Sequence, residues 1–313
     1  MEVCVIEIAN REGKNPKTKY PQSLPYVIEG DWLMVTIGVH VSIAGGISKA
    51  VGRASAIGCD TFQLFTRNPR GWMFRDLEPA EAVLFRQELG KSGLSPAVDH
   101  MPYLPNLATM NPDFAEKSGS TLVAELSRCG TLGIPYLVTH LGHYGPEGKE
   151  AGQRRVSTLI NEALDKVDNP VLLLLENTAG EKNGIGNRFE DIASVMEGIK
   201  KPSRIGFCLD TCHAFGAGYD LHSGEGLEET LHQFDETLGL KHLRLIHLND
   251  SKGDLGSGLD RHEHIGLGRI GEEGFARILS TPCLRNLPLI CETPVDERRD
   301  DAGNIKKVRE LAG

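Results

Sequence analysis

Residues 208–220, CLDTCHAFGAGYD, set Cys208, Asp210, Cys212 and His213 within six positions. Thiolate, carboxylate and imidazole are the groups that bind zinc and its first-row neighbours. A second cluster, Asp260, His262 and His264, lies in GLDRHEHIGLG, where alternate residues share one side of the chain if the segment is extended. Five more metal-capable side chains, His100, His140, Glu176, His247 and Glu292, fall at or near the ends of short apolar runs. The cysteines fit this chemistry least. A structural zinc site takes four ligands at compact spacing, usually from two paired motifs, and no second close cysteine pair accompanies Cys208 and Cys212. They read as small apolar packing residues. Leaving His264 aside, the nine Asp, Glu and His side chains exceed what one ion can use, so the pattern implies several ions of zinc, manganese or iron.

Residues scattered over nearly the whole chain need a frame that gathers them. From Thr36 onward, β-branched and apolar runs alternate with amphipathic stretches: TIGVHVS (36–42), TFQLFT (61–66), SPAVDH (95–100), YLVTH (136–140), VLLLLE (171–176), RIGFCLD (204–210), LRLIHLN (243–249) and PLICE (288–292). Between them, EPAEAVLFRQELGKSG, RRVSTLINEALDKV, RFEDIASVMEGI and EEGFARILS repeat apolar residues at spacings of three and four, the period of a helix. Eight such units predict an α/β chain folded as a (β/α)8 TIM barrel. The structural rival is a doubly wound open sheet, but HVSIAGGISKA after the first run has the wrong glycine spacing for a dinucleotide fingerprint. In a barrel the C-terminal strand ends share one rim, so the ligand candidates become neighbours there. His213 is expected in the loop that leaves the sixth strand above this rim.

Composition narrows the rest. The 313 residues hold 40% hydrophobic and 25% charged side chains, as in soluble globular proteins, and the longest apolar run, Val171 to Leu175, falls far short of the roughly 20 residues that span a bilayer. The start, MEVCVIEIANREGK, has no secretory pattern, which makes the cytoplasm the expected compartment and the seven cysteines reduced thiols. Residues 1–35, rich in polar side chains and broken by Pro16, Pro21 and Pro25, read as a poorly structured extension before a barrel domain at 36–313. Met34 is a plausible alternative start. Lysines and arginines number 34 against 43 aspartates and glutamates, a net charge of -9 that by itself argues against a nucleic-acid partner.

Seven segments taken together answer that objection: VDHMPYLPNLA, VTHLGHY, LLENTAG, CLDTCHAFGAGYDL, IHLNDSKG, LDRHEHIGLGRIG and LICETP. In this order they resemble the successive signatures of endonuclease IV, the metal-dependent apurinic/apyrimidinic DNA repair endonucleases. GVHVSIAGG and LFTRNPRGW extend the resemblance to about Ile37–Pro294. It implies three zinc ions: His100, His140 and Glu176 on the first, a bridging Glu176 with Asp210, His247 and Glu292 on the second, and His213, Asp260 and His262 on the third. It further implies hydrolysis of the phosphodiester 5' to an abasic site, with Glu176 and Glu292 as catalytic groups that position the attacking water. Arg70, Tyr103 and Leu104 would enter the duplex at the lesion, in a chain acting as a monomer on double-stranded DNA. Arg67 and Lys252 could touch phosphates from the rim. Three divalent ions outweigh four carboxylates, so the loaded site is cationic on an acidic chain. The sequence departs from the family pattern in its N-terminal extension and at Leu267, where an acidic residue is common. The rival function is a metal-dependent sugar isomerase or epimerase on a related barrel, which would need only Glu176, Asp210, His247 and Glu292. A non-catalytic DNA-binding or metal-storing protein is the other alternative.

Overall fold

The computed structural model describes residues 35–73 and 75–313. The expected 1–35 extension and the Met34 start therefore lie, apart from Val35, outside the described residues. Each apolar run contains a strand: β1 (Ile37–Val39), β2 (Phe62–Leu64), β3 (Ala97–His100), β4 (Tyr136–Thr139), β5 (Leu172–Glu176), β6 (Ile205–Asp210), β7 (Leu243–His247) and, after the short antiparallel pair β8 (Asp250–Ser251) and β9 (His262–Glu263), β10 (Leu289–Cys291). The eight long-range strands pair in parallel in the order β1-β10-β7-β6-β5-β4-β3-β2. A bridge between His40 and Gln63 and the bond from Val41 N–H to Gln63 O (2.7 Å) draw β1 onto β2, so the sheet nearly closes into a barrel. Gly38 permits this seam, because a Cβ there would stand 1.7 Å from Thr61 O.

Helices fill the returns: α1 (Lys49–Ile57), α2 (Pro79–Ser92), α3 (Pro112–Leu132), α4 (Lys149–Lys166), α5 (Phe189–Glu197), α6 (Thr211–Ala217), α7 (Gly224–Thr237), α8 (Gly271–Ser280), α9 (Pro282–Arg285) and α10 (Asp301–Ala312). The start of α3 shows the local logic: Asn111 accepts from the N–H groups of Asp113 and Phe114, and Pro112 supplies the pre-set first turn. Wall residues such as Leu137, Leu173 and Leu175 pack outward against the helices in one large apolar layer.

Val98, Val138, Leu174, Cys208, Leu245 and Ile290 form a separate buried ring inside the barrel. Strand side chains alternate between faces, so the residue two positions beyond each ring member faces the interior one level higher. Those six residues are His100, His140, Glu176, Asp210, His247 and Glu292. The apolar ring is the floor, and the strand-end ligand candidates are the layer above it.

Candidate metal centre

The fully buried Glu176 carboxylate is the hub of that layer. Its Oε2 lies 3.3 Å from His100 Nε2 and 3.1 Å from His140 Nε2, and its Oε1 lies 2.9 Å from His247 Nδ1 and 3.5 Å from His213 Nδ1. The two oxygens thus face two different sets of ligands. His100, His140 and Glu176 form one group of mutually close ligand atoms, and Glu176, Asp210, His247 and Glu292 form another. A third joins Asp210, His213 and His262, with Asp260 Oδ1 3.1 Å from His213 Nε2 and 3.4 Å from His262 Nε2. Asp210 therefore stands between the second and third groups, whereas the sequence reading gave it to the second alone.

The histidines are oriented from behind. Assigning the ring protons by partner, His100 donates through Nδ1 to Met101 O (2.7 Å), His213 through Nδ1 to Asn177 O (3.0 Å) and His262 through Nδ1 to Glu292 O (3.0 Å), leaving Nε2 of each aimed into the centre. His247 is turned the other way: its Nε2 donates to Gln63 Oε1 (2.8 Å), and Nδ1 faces the carboxylates. The Gln63 amide also donates to Glu292 Oε1 (2.6 Å) and stands 3.1 Å from His40 Nδ1, which accepts from it.

Charge follows from this packing. Burial works against protonation of His213, His247 and His262, yet the surrounding groups hold each above the usual imidazole value. Asp210 acts foremost on His213 and His262, the latter held at about 9, while Glu292 and Glu176 act on His247. Burial wins at His140, which is lowered, and at His40, pushed down to about 4. The carboxylates respond in kind: burial pushes Glu292 up, but His247 and His100 hold it at about 2. The fully buried Glu176 and Asp210, with the half-buried Glu292 and the exposed Asp260 beside them, draw positive charge, which protons or metal cations can supply. The Nε2 atoms of His213 and His262 are buried beside Asp260 Oδ1 without a well-aligned hydrogen bond among the described residues, as expected of nitrogens placed to share a ligand sphere with that carboxylate. The donor set of imidazole and carboxylate fits divalent zinc.

The third group rests on a different support. Asp210 caps α6, accepting from His213 N–H (2.9 Å), so His213 stands on the first turn of a short helix rather than in the expected loop. Asp260 and His262 sit on the segment that runs from β8 into β9. Asp250 holds the turn that follows β9 by accepting from the N–H groups of Gly266 (3.0 Å), Gly268 (2.8 Å) and Ile270 (2.9 Å). His264 faces away from the centre, between Asp296 Oδ1 (2.9 Å) and the Asn304 amide (3.0 Å).

Comparison with known proteins decides the family. The family model described as Xylose isomerase-like TIM barrel matches residues 51–312. The probable endonuclease 4 of Methanoculleus marisnigri is 60% identical over 281 residues, 90% of this chain and 100% of the relative. The chain belongs to the endonuclease IV family. Among solved structures, endonuclease IV from Thermus thermophilus superposes with a TM-score of 0.78 at 39% identity, covering 88% of this chain and 98% of that one. A D-tagatose 3-epimerase-like protein superposes at a TM-score of 0.66 but is 17% identical, covering 88% of this chain and 96% of that one, and shares the fold alone.

The cysteines of this endonuclease IV family chain sit close to the centre: Cys208 Sγ lies near Glu176 and His247, and Cys212 near Asp260 and His262. Burial pushes both thiols up to about 12, which disfavours the thiolate a metal requires. Cys208 also occupies the one floor position not filled by Val, Leu or Ile. Arg70 is exposed on the loop after β2, and Tyr103 (69% exposed) and Leu104 stand on the loop after β3, the two loops joined by Tyr103 N–H to Pro69 O (3.2 Å). Lys252 is exposed. Arg67 corrects the sequence reading: it is buried, with Nε 2.6 Å from Glu125 Oε1, and does not face the rim solvent. Sequence reasoning also missed Gln63, Asn177 and Asn249. Asn249 donates to Asp210 Oδ2 (2.8 Å) and accepts from Glu292 N–H (2.7 Å), while Asn177 accepts from Asp210 N–H (2.7 Å). The available signal was a carboxamide inside an apolar strand at Gln63 and directly after a ligand run in LLENT and IHLND.

Proposed function

We propose that this protein is a DNA repair endonuclease that hydrolyses the phosphodiester 5' to an abasic site, leaving a 3'-hydroxyl and a 5'-deoxyribose phosphate, and that it carries three zinc ions. The observation that supports this reading best is the overlap of three ligand groups through Glu176 and Asp210. His100, His140 and Glu176 would hold one ion, Glu176, Asp210, His247 and Glu292 a second, and His213, Asp260 and His262, with Asp210 beside them, a third. When bound, the ions supply the charge that neutralises a phosphodiester, activates water near neutral pH and steadies the departing oxygen.

The chain's own groups do the rest. Gln63 fixes Glu292 Oε1 at 2.6 Å, which leaves Oε2, 3.4 Å from His247 Nδ1, to orient the attacking water together with Glu176. Arg70, Tyr103 and Leu104 project from adjacent loops and would wedge into the duplex where the missing base leaves no stacking to break. No helix among the described residues is long and apolar enough to cross a membrane. A cytoplasmic monomer working on double-stranded DNA fits this reading. A sugar isomerase would leave His100, His140, His213, Asp260 and His262 without a task.

The test is nicking of a duplex holding one abasic site, before and after removal of metal by chelator, with the ends identified by primer extension. Metal-dependent cleavage 5' to the lesion with an extendable 3'-hydroxyl is expected. An intact duplex with loaded protein, or turnover of a ketose in its place, would refute the proposal.

A further inference from the structure

Behind the loop after β2 lies a buried polar network that the metal centre does not use. Glu125 on α3 is fully buried, pairs with Arg67 Nε at 2.6 Å, and accepts from the Thr66 hydroxyl. Thr66 N–H donates to the buried Asp99 (3.1 Å). Arg128, one helical turn beyond Glu125, spreads its guanidinium over the two ends of the loop. Its Nε donates to Thr66 Oγ1 (2.8 Å), Nη2 to Thr66 O (2.5 Å) and Nη1 to Arg75 O (3.3 Å). Thr66 and Arg75 lie on either side of Arg70. A cavity of about 510 Å³, lined in part by Thr66, Asn68, Met73, Arg75 and Arg128, opens beneath the same segment, whose one ring–ring contact to α3 among the described residues is Trp72 against Phe114 (5.9 Å between centroids).

Buried ion pairs are poor sources of net stability, since well-packed apolar residues often do as well, and their best-attested use is to fix geometry. We propose that Arg128 and Glu125 are positioning residues that hold Thr66 and Arg75 on either side of Arg70, so that Arg70 meets Tyr103 and Leu104 at one point on the duplex. The fork of Arg128 is suited to this because one planar group reaches both ends of the loop, which a lysine ammonium does not. This role rests on the DNA-repair reading above.

Arg128→Ala is the informative change, because Arg128 is half-buried and its loss leaves the Arg67–Glu125 pair in place. Zinc content and hydrolysis of the small diester bis(p-nitrophenyl) phosphate should match the parent, while kcat/KM on the abasic duplex should fall about 10- to 100-fold, since small misplacement of a positioning group has effects of that size. Arg128→Lys should fail to restore it; restoration by lysine would mean that charge alone matters and would overturn the clamp. So would an unchanged kcat/KM, or a parallel fall in small-diester hydrolysis. Hydrogen exchange provides an arm independent of activity: Arg128→Ala should speed exchange of the amides of residues 66–73 and Arg75 while the barrel strands stay protected. Unchanged exchange there overturns the clamp, whereas a parent protein that does not nick abasic DNA overturns the function and leaves the exchange result to judge the clamp.

Discussion

Glu176→Gln isolates the part played by one bridging carboxylate. The change keeps the shape of a fully buried side chain but replaces one ligating oxygen by an amide nitrogen that cannot hold a cation. In the parent, Oε2 faces His100 and His140 while Oε1 faces His247, so no rotamer of glutamine serves both groups. An ion held by His213, Asp260 and His262, as proposed, would not need Glu176, since Asp260 Oδ1 is close to both histidines directly. Metal analysis by mass spectrometry should therefore fall from close to three ions per chain to no more than two, since the remaining amide oxygen can serve only one of the two groups. Loss of metal-derived charge stabilisation removes several kcal/mol from the transition state. At about 1.4 kcal/mol per tenfold, a loss of about 4 kcal/mol lowers single-turnover nicking about 10³-fold. Far-ultraviolet dichroism of both metal-free proteins separates this from misfolding. Three retained ions, or loss confined to the His213, Asp260 and His262 set, would refute the bridging argument.

Gln63→Leu removes the groups that turn His247 and Glu292 inward, and should weaken the ion they share about 10- to 100-fold, read by zinc titration against a competing chelator; unchanged affinity would show that the two ligands hold themselves. His213→Ala should lower single-turnover nicking about 100-fold or more while duplex binding survives better, and the neighbouring Cys212→Ser should change nicking little; equal losses would mean the ligand was misassigned. His262, held at about 9 in the fold against an unfolded value of 6.5, gives the metal-free protein stability that is full below pH 6.5 and lost as pH rises through about 9. The melting temperature of metal-free protein should fall across that window. A flat or rising profile for it would refute the assignment.

The barrel was legible because its strands are buried on both faces and so read as continuous apolar runs, as in VLLLLE. The same physics exposed the ligands: a carboxylate or imidazole closing such a run has no reason to be there unless something pairs with it. What escaped is whatever depends on a partner distant in sequence. Gln63 has no visible purpose until β2 lies across from β7 and β10, and the Asp250 hub exists only once the Gly266–Gly271 turn folds back on it. Arg67 was misread for the same reason, since an arginine in a polar loop looks solvated until Glu125 is found beneath it. His213 looked like a loop residue because a seven-residue helix carries too little periodicity to announce itself, though Asp210 three positions earlier was the cap.

Two kinds of support meet in the centre, and the difference bears on how one barrel serves unlike chemistries. His100, His140, Glu176, Asp210, His247 and Glu292 stand one level above the apolar ring, so their mutual geometry is set by strand register. Asp260 and His262 instead depend on a connecting segment held by the bonds from Gly256 N–H to Phe215 O (3.0 Å) and Gly258 N–H to Gly216 O (2.9 Å), and on the His262 Nδ1 bond to Glu292 O. Register is hard to alter, because a one-residue slip would invert every interior side chain. A connection beyond a strand end tolerates insertion and replacement. The strand-end set can therefore persist in barrels that share only the fold, while the loop-borne pair can be gained or lost without disturbing the floor. On the proposed function, the ligands that set a phosphodiesterase apart from a sugar enzyme include the strand-end His100 and His140 as well as the loop-borne Asp260 and His262, and Asp250 fixes the turn that follows this pair through the N–H groups of Gly266, Gly268 and Ile270.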